Sequence, residues 1–165
     1  MHELENFVRD PENPWTNLEL AMWYHNINHT ASAITFYLRC AERTDDDTLA
    51  YGCLIQMFRL FDQQGGRKLT VLNCINRAIS LLPNRPEAYW ALSQYYERRE
   101  HWQTSYMYAM TGLQFANHDL PQLTMTIGYP GKYALMFQKS VAAWWWGKRD
   151  ESRELTRELY LNYSS

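Results

Sequence analysis

The stretch 86–113 constrains the fold more than any other part of this 165-residue chain. It contains two runs of apolar residues at helical spacing, Tyr89, Leu92 and Tyr96 in the first and a second run that begins at Trp102. Residues three, four and seven apart lie on one side of an α-helix, so each run predicts one helix with a single buried face. The polar residues between the runs predict a tight turn. We therefore expect a helical hairpin whose second helix presents small residues and packs closely on the first.

Eight residues of this hairpin resemble the signature of the tetratricopeptide repeat (TPR): Tyr89, Leu92, Ser93, Tyr96, Trp102, Ser105, Gly112 and Leu113. The resemblance implies an all-α, TPR-like right-handed superhelix of antiparallel helix hairpins. The repeats of this family are roughly 34 residues long. On that period we predict three recognisable repeats at about 13–45, 46–84 and 85–117, an irregular loop at 116–132 and a degenerate capping hairpin at 133–163. Together they would form a single TPR-like domain over residues 1–165.

The second repeat is longer than the family period. Leu20 and Leu54 are 34 residues apart, whereas Leu54 and Leu92 are 38 apart. We place the four extra residues between the two helices of this repeat, in the run DQQGGRK. Gly65 and Gly66 of this run can supply the positive φ angles that such a turn needs.

Two helix starts are indicated by capping residues. Asn13 is a good N-cap, and Pro14 after it suits the first helical position, where a missing N–H costs nothing. The acidic run 45–47 favours the positive end of the next helix dipole. Residues 1–12 have no sustained period, so we expect an irregular lead-in.

Composition predicts a water-soluble folded chain. The mean hydropathy is −0.53, and the longest strongly apolar run, 141–146, is far shorter than the roughly 20 residues that cross a bilayer. A net charge of −2 without a basic stripe argues against nucleic-acid binding, and no membrane partner is expected. Cys40, Cys53 and Cys74 form no CxxC pair, so we expect buried thiols in a cytoplasmic protein.

No residue pattern points to catalysis. His25 and His29 have the i, i+4 spacing of metal ligands but lack a third ligand. Glu97 and Glu100 flank two arginines, as on a solvated helix face. We therefore predict a non-enzymatic protein without catalytic residues, cofactor or metal.

The TPR resemblance implies a ligand groove along the concave face formed by the first helix of each repeat. The family offsets place eight residues there: Leu18, Met22, His25, Gln56, Arg59, Trp90, Gln94 and Glu97. A mixed polar and aromatic lining suits an extended peptide or a helix, with Trp90 as the anchor. The lysine–asparagine clamp of some relatives is missing, which argues against chaperone-tail binding. The leading hypothesis is a non-catalytic scaffold that binds a protein or peptide in this groove.

Three longer stretches, 30–44, 78–106 and 128–155, resemble the repeat regions that accompany glycosyltransferases in marine bacteria and phages. The chain has no room for a Rossmann-like catalytic domain and no DxD motif on a strand end. The resemblance therefore implies an alternative function, an accessory carbohydrate-binding or docking module with a glycosyltransferase as its partner.

Trp144, Trp145 and Trp146 cannot all enter one core face, because successive helical residues lie about 100° apart and three of them span about 200°. Two interpretations stay open. Either two indoles lie in the core and the preceding loop covers the third, or the three form an aromatic surface that contacts sugar or protein. Self-association through this end is a third functional hypothesis.

The loop 116–132 contains two prolines and two glycines and shows no helical period. Such a loop inside a helical stack is either functional or a packed cover. We favour a cover over the indoles, made by four apolar residues of the loop: Leu120, Leu123, Met125 and Ile127. The other interpretation is a mobile binding element.

Overall fold

The computed structural model describes residues 1–163, which fold into nine α-helices and no β-strand. The helices are α1 (His2–Arg9), α2 (Pro14–Asn26), α3 (Thr30–Arg43), α4 (Asp47–Gln64), α5 (Lys68–Leu81), α6 (Pro86–Glu97), α7 (Trp102–Phe115), α8 (Lys132–Trp145) and α9 (Arg149–Tyr163). Consecutive helices pack in pairs, α2 with α3, α4 with α5, α6 with α7 and α8 with α9. The predicted all-α architecture of helix hairpins is confirmed. Within the described range no helix has the length and apolarity of a membrane span.

The chain divides into two compact units. Unit 1 contains residues 1–83, with helices α1 to α5, together with the loop segment Gln122–Ile127. Unit 2 contains residues 84–121 and the described residues from 128 onward, with helices α6 to α9. Each unit has its own buried core. The single domain over residues 1–165 stays a prediction.

The predicted helix starts are confirmed. Asn13 accepts a hydrogen bond from the backbone N–H of Trp15 at 2.9 Å, and Pro14 occupies the first position of α2. The carboxylate of Asp46 accepts the backbone N–H of Thr48 at 2.9 Å at the start of α4. These side chains satisfy N–H groups that have no partner inside the helix.

The irregular lead-in expected for residues 1–12 is wrong, because residues 2–9 form the helix α1. Phe7 of this helix packs edge-on against Phe36 of α3, with ring centroids 5.2 Å apart. The helix has only eight residues, too few for its period to stand out in the sequence. Its stability therefore comes from packing on its neighbours rather than from local propensity.

The four extra residues of the second repeat lengthen a helix rather than a loop. Helix α4 has 18 residues, against 13 in α2 and 12 in α6, and it continues to Gln64. An α-helical turn takes 3.6 residues, so the excess adds about one turn to α4. Gly65 and Gly66 follow with φ angles of 74° and 72°, as their type predicts.

Small residues bring α7 close to both of its neighbours in unit 2. Ser93 of α6 and Ser105 of α7 each donate a hydrogen bond to the other's backbone carbonyl, at 2.9 and 2.8 Å. A Cβ atom on Gly112 would lie 2.8 Å from Cδ2 of Leu135, so only glycine permits this approach of α7 to α8. The close packing expected for the second helix of the hairpin is confirmed.

All three cysteines are buried, as predicted. Cys40 of α3 and Cys53 of α4 share a hydrogen bond, which raises the pKa of the Cys53 thiol, as burial does too. Sequence spacing gave no sign of this pair, because the residues come from different helices.

Candidate functional site

A first cavity, of about 430 Å³, lies in unit 1. Three of the predicted groove residues line it together, Met22 and His25 from α2 and Gln56 from α4. Leu18, which the family offsets also place in the groove, joins them. The remaining lining residues are Asn26, Tyr37 and residues 124–126 of the loop segment. The first cavity is therefore lined partly by helices and partly by the loop segment.

The buried side chain of Tyr37 lines the first cavity and contacts His25. Nδ1 of His25 lies 3.0 Å from the hydroxyl of Tyr37, and the two rings meet edge-on. Burial raises the pKa of Tyr37 to about 12, so its hydroxyl stays protonated at neutral pH and can donate to the imidazole. His29 instead stacks on Tyr24, with ring centroids 6.0 Å apart. The two histidines thus have separate partners.

Within unit 1, Met125 makes the main apolar contact between the loop segment and α4. Met125 is buried above Gly52 of α4, where a Cβ atom would lie only 2.5 Å from Cγ of Met125. The thiol of Cys53 contacts the Met125 sulfur at 3.9 Å. Ile127 is buried beside it. The prediction that these side chains cover the three indoles is wrong, because they pack against α4 instead.

Polar contacts hold the loop segment at both ends. Oγ1 of Thr124 donates a hydrogen bond to Oδ2 of Asp46 at 2.7 Å, and it lies 2.8 Å from the hydroxyl of Thr48. At the other end the guanidinium of Arg59, a predicted groove residue, donates to the carbonyl of Ile127. Hydrogen bonds from Thr48 and Thr124 hold the pKa of Asp46 below its usual value. The carboxylate is therefore charged where it binds the segment.

A second and larger cavity, of about 840 Å³, lies in unit 2. Its walls come from α6, α8 and α9 and are rich in aromatic rings. Six residues define its character: Trp90, Gln94, Tyr133, Phe137, Trp144 and Tyr160. The second cavity therefore joins two groups that the sequence suggested separately, the groove residues of α6 and the tryptophans that follow them. Glu97 ends α6 and lines neither cavity.

The three adjacent tryptophans have three different environments. Trp146 packs against the core of unit 2 and lies 5.2 Å from the ring of Tyr106. Trp145 is 62% exposed and stacks on Trp102, with centroids 5.6 Å apart. Trp144 is also exposed, and with Trp145 it lines the second cavity. The interpretation with two indoles in the core is thus wrong, since only Trp146 packs there.

One buried polar atom in the second cavity lacks a partner. Gln138 is 6% exposed and lines the cavity, and its side-chain oxygen accepts no hydrogen bond from any described residue. An acceptor buried without a donor costs about 1–3 kcal/mol. Because the oxygen is itself buried, a bound molecule can donate to it only after the amide turns toward the cavity.

Phe137 and the α9 aromatics were missed by sequence reasoning. A signal existed, because Tyr133, Phe137, Ser140 and Trp144 recur at i, i+4, i+7 and i+11 and so share one helix face. That pattern predicts the common face but not its exposure. Met125 gave no comparable signal, since the loop has no period.

Comparisons with known proteins define the fold. No protein-family model matches the chain, and no curated protein matches it. A crystal structure of MamA, a TPR-like protein, is similar over 94% of this chain and 81% of that chain, with a TM-score of 0.70 and 18% identity. A second MamA crystal structure covers 99% and 83%, with a TM-score of 0.69 and 17% identity. The chain has a TPR-like helical repeat fold, which confirms the predicted fold class.

Proposed function

We propose that this protein is a non-catalytic scaffold that binds an extended segment of a partner protein in the groove of unit 1. A TPR-like fold is generally a protein-interaction module. The observation that carries the proposal is the loop segment itself, which lies against α4 as a bound peptide would. The proposal places the protein in the cytoplasm, supported by three buried cysteines that are free thiols.

The contacts of the loop segment have the form of peptide recognition. Met125 and Ile127 are buried while Thr124 and Thr126 are exposed, which is the alternation of an extended chain. Side chains of α4 and its N-cap bind one hydroxyl and one backbone carbonyl. Main-chain contacts with pockets for alternate side chains are a common mode of peptide binding. The groove therefore suits a peptide with a hydroxyl residue followed by Met-x-Ile.

The groove has more room than the loop segment uses. The first cavity of about 430 Å³ stays open beside residues 124–126. Met22, which is exposed, and Gln56 face this space. A partner peptide with a larger side chain would fill it and add apolar contact that the chain's own segment lacks, at about 25 cal/mol per Å² buried. Such a peptide would bind in place of the segment.

Peptide binding in trans tests this proposal. The full chain with Met125→Ser and Ile127→Ser has an emptied groove of unchanged length, and the probe is a synthetic peptide of residues 121–130. We expect the peptide to raise the melting temperature of this variant, or to restore folding if the variant is unfolded alone. The matched control is the same peptide with both anchor positions changed to serine.

Three results decide the proposal. Stabilisation by the native peptide and not by the control supports it. Loss of that binding when Gly52→Leu is added also supports it, because the leucine fills the Met125 site. No effect of the native peptide at millimolar concentration, whether the variant folds or not, would overturn it.

A second candidate function is an accessory module of a carbohydrate enzyme, with a glycosyltransferase as partner. One observation favours it, since the exposed side chains of Trp144 and Tyr160 line the second cavity together with the polar side chain of Gln138. Aromatic faces and a few placed polar groups also suit sugars. A glycan array tests this second function. We expect the protein to bind sugar and Trp144→Ala to remove the binding. An array without any binding would dismiss this function.

A further inference from the structure

The hairpin of α8 and α9 repeats the contact between α6 and α7. In the first hairpin the hydroxyl oxygens of Ser93 and Ser105 lie 3.1 Å apart, and in the second those of Ser140 and Ser152 lie 3.3 Å apart. Both serines of the second pair come 47 residues after those of the first. A shift of 47 residues therefore relates the two hairpins, although the capping hairpin matches the repeat signature poorly.

In the first hairpin, the face beyond this serine contact is covered by a helix. Trp90 of α6 is only 8% exposed, because Ala134 and Leu135 of α8 and the ring of Tyr129 pack on it. The residue 47 positions later is Phe137, on the corresponding face of α8. Phe137 is 55% exposed. The second hairpin therefore presents an equivalent apolar face that the described residues leave largely open.

The open face coincides with the second cavity. Exposed aromatic side chains surround it, Tyr133 and Phe137 from α8 and Tyr160 from α9. Monomeric proteins rarely expose many large apolar groups in one place without an interaction to cover them. Gln138, whose buried side-chain oxygen has no partner among the described residues, lines the same cavity. Apolar surface and an unused acceptor thus occur together at this face.

We propose that this face binds one α-helix of a partner protein, in the way that α8 binds the first hairpin. The covering side of α8 shows the chemistry required, which is small apolar residues over two helical turns: Ala134, Leu135, Ala142 and Ala143. The bound helix would also carry a hydrogen-bond donor for Gln138. This site is separate from the groove of unit 1, and either proposal can fail without the other.

Charged residues at the edge of the second cavity favour some partner helices over others. The guanidinium groups of Arg149 and Arg153 lie 5.2 and 5.9 Å from the ring centroid of Trp144, which lines the cavity. Arg153 also forms an ion pair with Asp150 at 3.3 Å, so Arg149 supplies most of the positive charge at this edge. A cation beside an apolar surface favours a partner with acidic residues at that end, because complementary charges steer association. The partner is therefore an amphipathic helix with a small-residue face and an acidic flank.

A designed helical peptide tests the site on the full-length protein. The probe carries Ala-Leu and, eight residues later, Ala-Ala, as α8 does. It also carries a serine as donor, two glutamates at one end and a polar remainder. We expect a measurable dissociation constant by calorimetry, and an affinity at least tenfold lower for Phe137→Glu. Leu69→Glu is the matched control, since Leu69 is an exposed apolar residue of α5 in unit 1.

A second variant tests the acceptor without disturbing the fold. Gln138→Met replaces the unpartnered amide with an apolar side chain of similar volume, which is neutral or stabilising for the free protein. We expect the variant to bind the serine probe several-fold more weakly. Its affinity for a probe with alanine in place of the serine should be unchanged.

The results against the proposal are equally specific. An absence of probe binding at millimolar concentration would overturn it, and so would binding that Phe137→Glu leaves unchanged. Sedimentation that shows a dimer dispersed by Phe137→Glu would overturn it in favour of a second copy as the occupant. Glycan binding abolished by that variant would overturn it in favour of a sugar.

Discussion

The two cavities are built from the same kind of helix hairpin and differ in what fills them. In unit 1 the loop segment occupies part of the groove, and about 430 Å³ stays open beside Met125. In unit 2 about 840 Å³ stays open, and Phe137 and Tyr160 on its walls are exposed. The repeats supply the concave surfaces in both units. The difference lies in a short segment without any repeat character, which fills part of the first cavity.

Truncation of two neighbouring residues on α8 distinguishes its buried side from the side that faces the second cavity. Leu135 is fully buried, so Leu135→Ala should lower the free energy of unfolding by about 2–5 kcal/mol through lost contact and a cavity. Phe137 is exposed, so Phe137→Ala should lower it by less than about 1 kcal/mol. Urea denaturation measures both. Equal losses would mean that the second cavity is closed in solution.

Substitutions at two buried glycines test two different contacts. Gly112 contacts the core of unit 2, and Gly52 contacts the loop segment. A Cβ on Gly112 would lie 2.8 Å from Leu135 and 3.2 Å from Cβ of Tyr89, so it would crowd both neighbouring helices. We expect Gly112→Val to destabilise unit 2 by about 1–3 kcal/mol, the usual cost of overpacking.

The three atoms nearest to a Cβ on Gly52 all belong to the loop segment, in Met125 and Ile127. We expect Gly52→Val to release the segment while the helices of unit 1 keep their stability, since valine fills the site that Met125 leaves. Limited proteolysis between residues 121 and 129, together with urea unfolding, distinguishes the two variants. Undiminished protection of the segment in Gly52→Val would contradict this account of the groove.

The smallest expected effect is a dependence of segment binding on pH. The pKa of Asp46 is lowered in the folded protein, so its contribution is complete above its ordinary pKa near 3.8 and is lost as the pH falls through the lowered value. Below pH 4 we expect a few-fold greater release of the loop segment, seen in the Met125 methyl resonance. Asp46→Asn should remove this dependence, while Asp45→Asn should keep it.

The hairpins could be predicted because their signals are local. Tyr89, Leu92 and Tyr96 lie within two turns of one helix, and the caps Asn13 and Asp46 act on residues two positions away. Periodicity and capping depend on contacts between residues that are close in sequence, so they can be recognised in a single sequence.

The destination of the loop segment could not be predicted, because Met125 and Gly52 are 73 residues apart and meet only in the folded chain. The angular argument for the tryptophans correctly required at least one of them outside the core. It could not identify Trp146 as the one inside, which depends on where Ala142 and Ala143 pack. Exposure of Phe137 was equally hidden, since an apolar residue at helical spacing is more often buried.

The extra turn of α4 changes the length of the repeat and preserves its rotational phase. Each helical residue advances the chain by about 100°, so four of them rotate it by roughly 400°, about 40° beyond a full circle. Side chains after the insertion therefore point almost where they would have pointed without it, about 6 Å further along the axis. An insertion of two residues would instead have rotated everything after it by about 200°, to the opposite side of the helix. Helical repeats can thus grow by whole turns and keep the same face for the next helix.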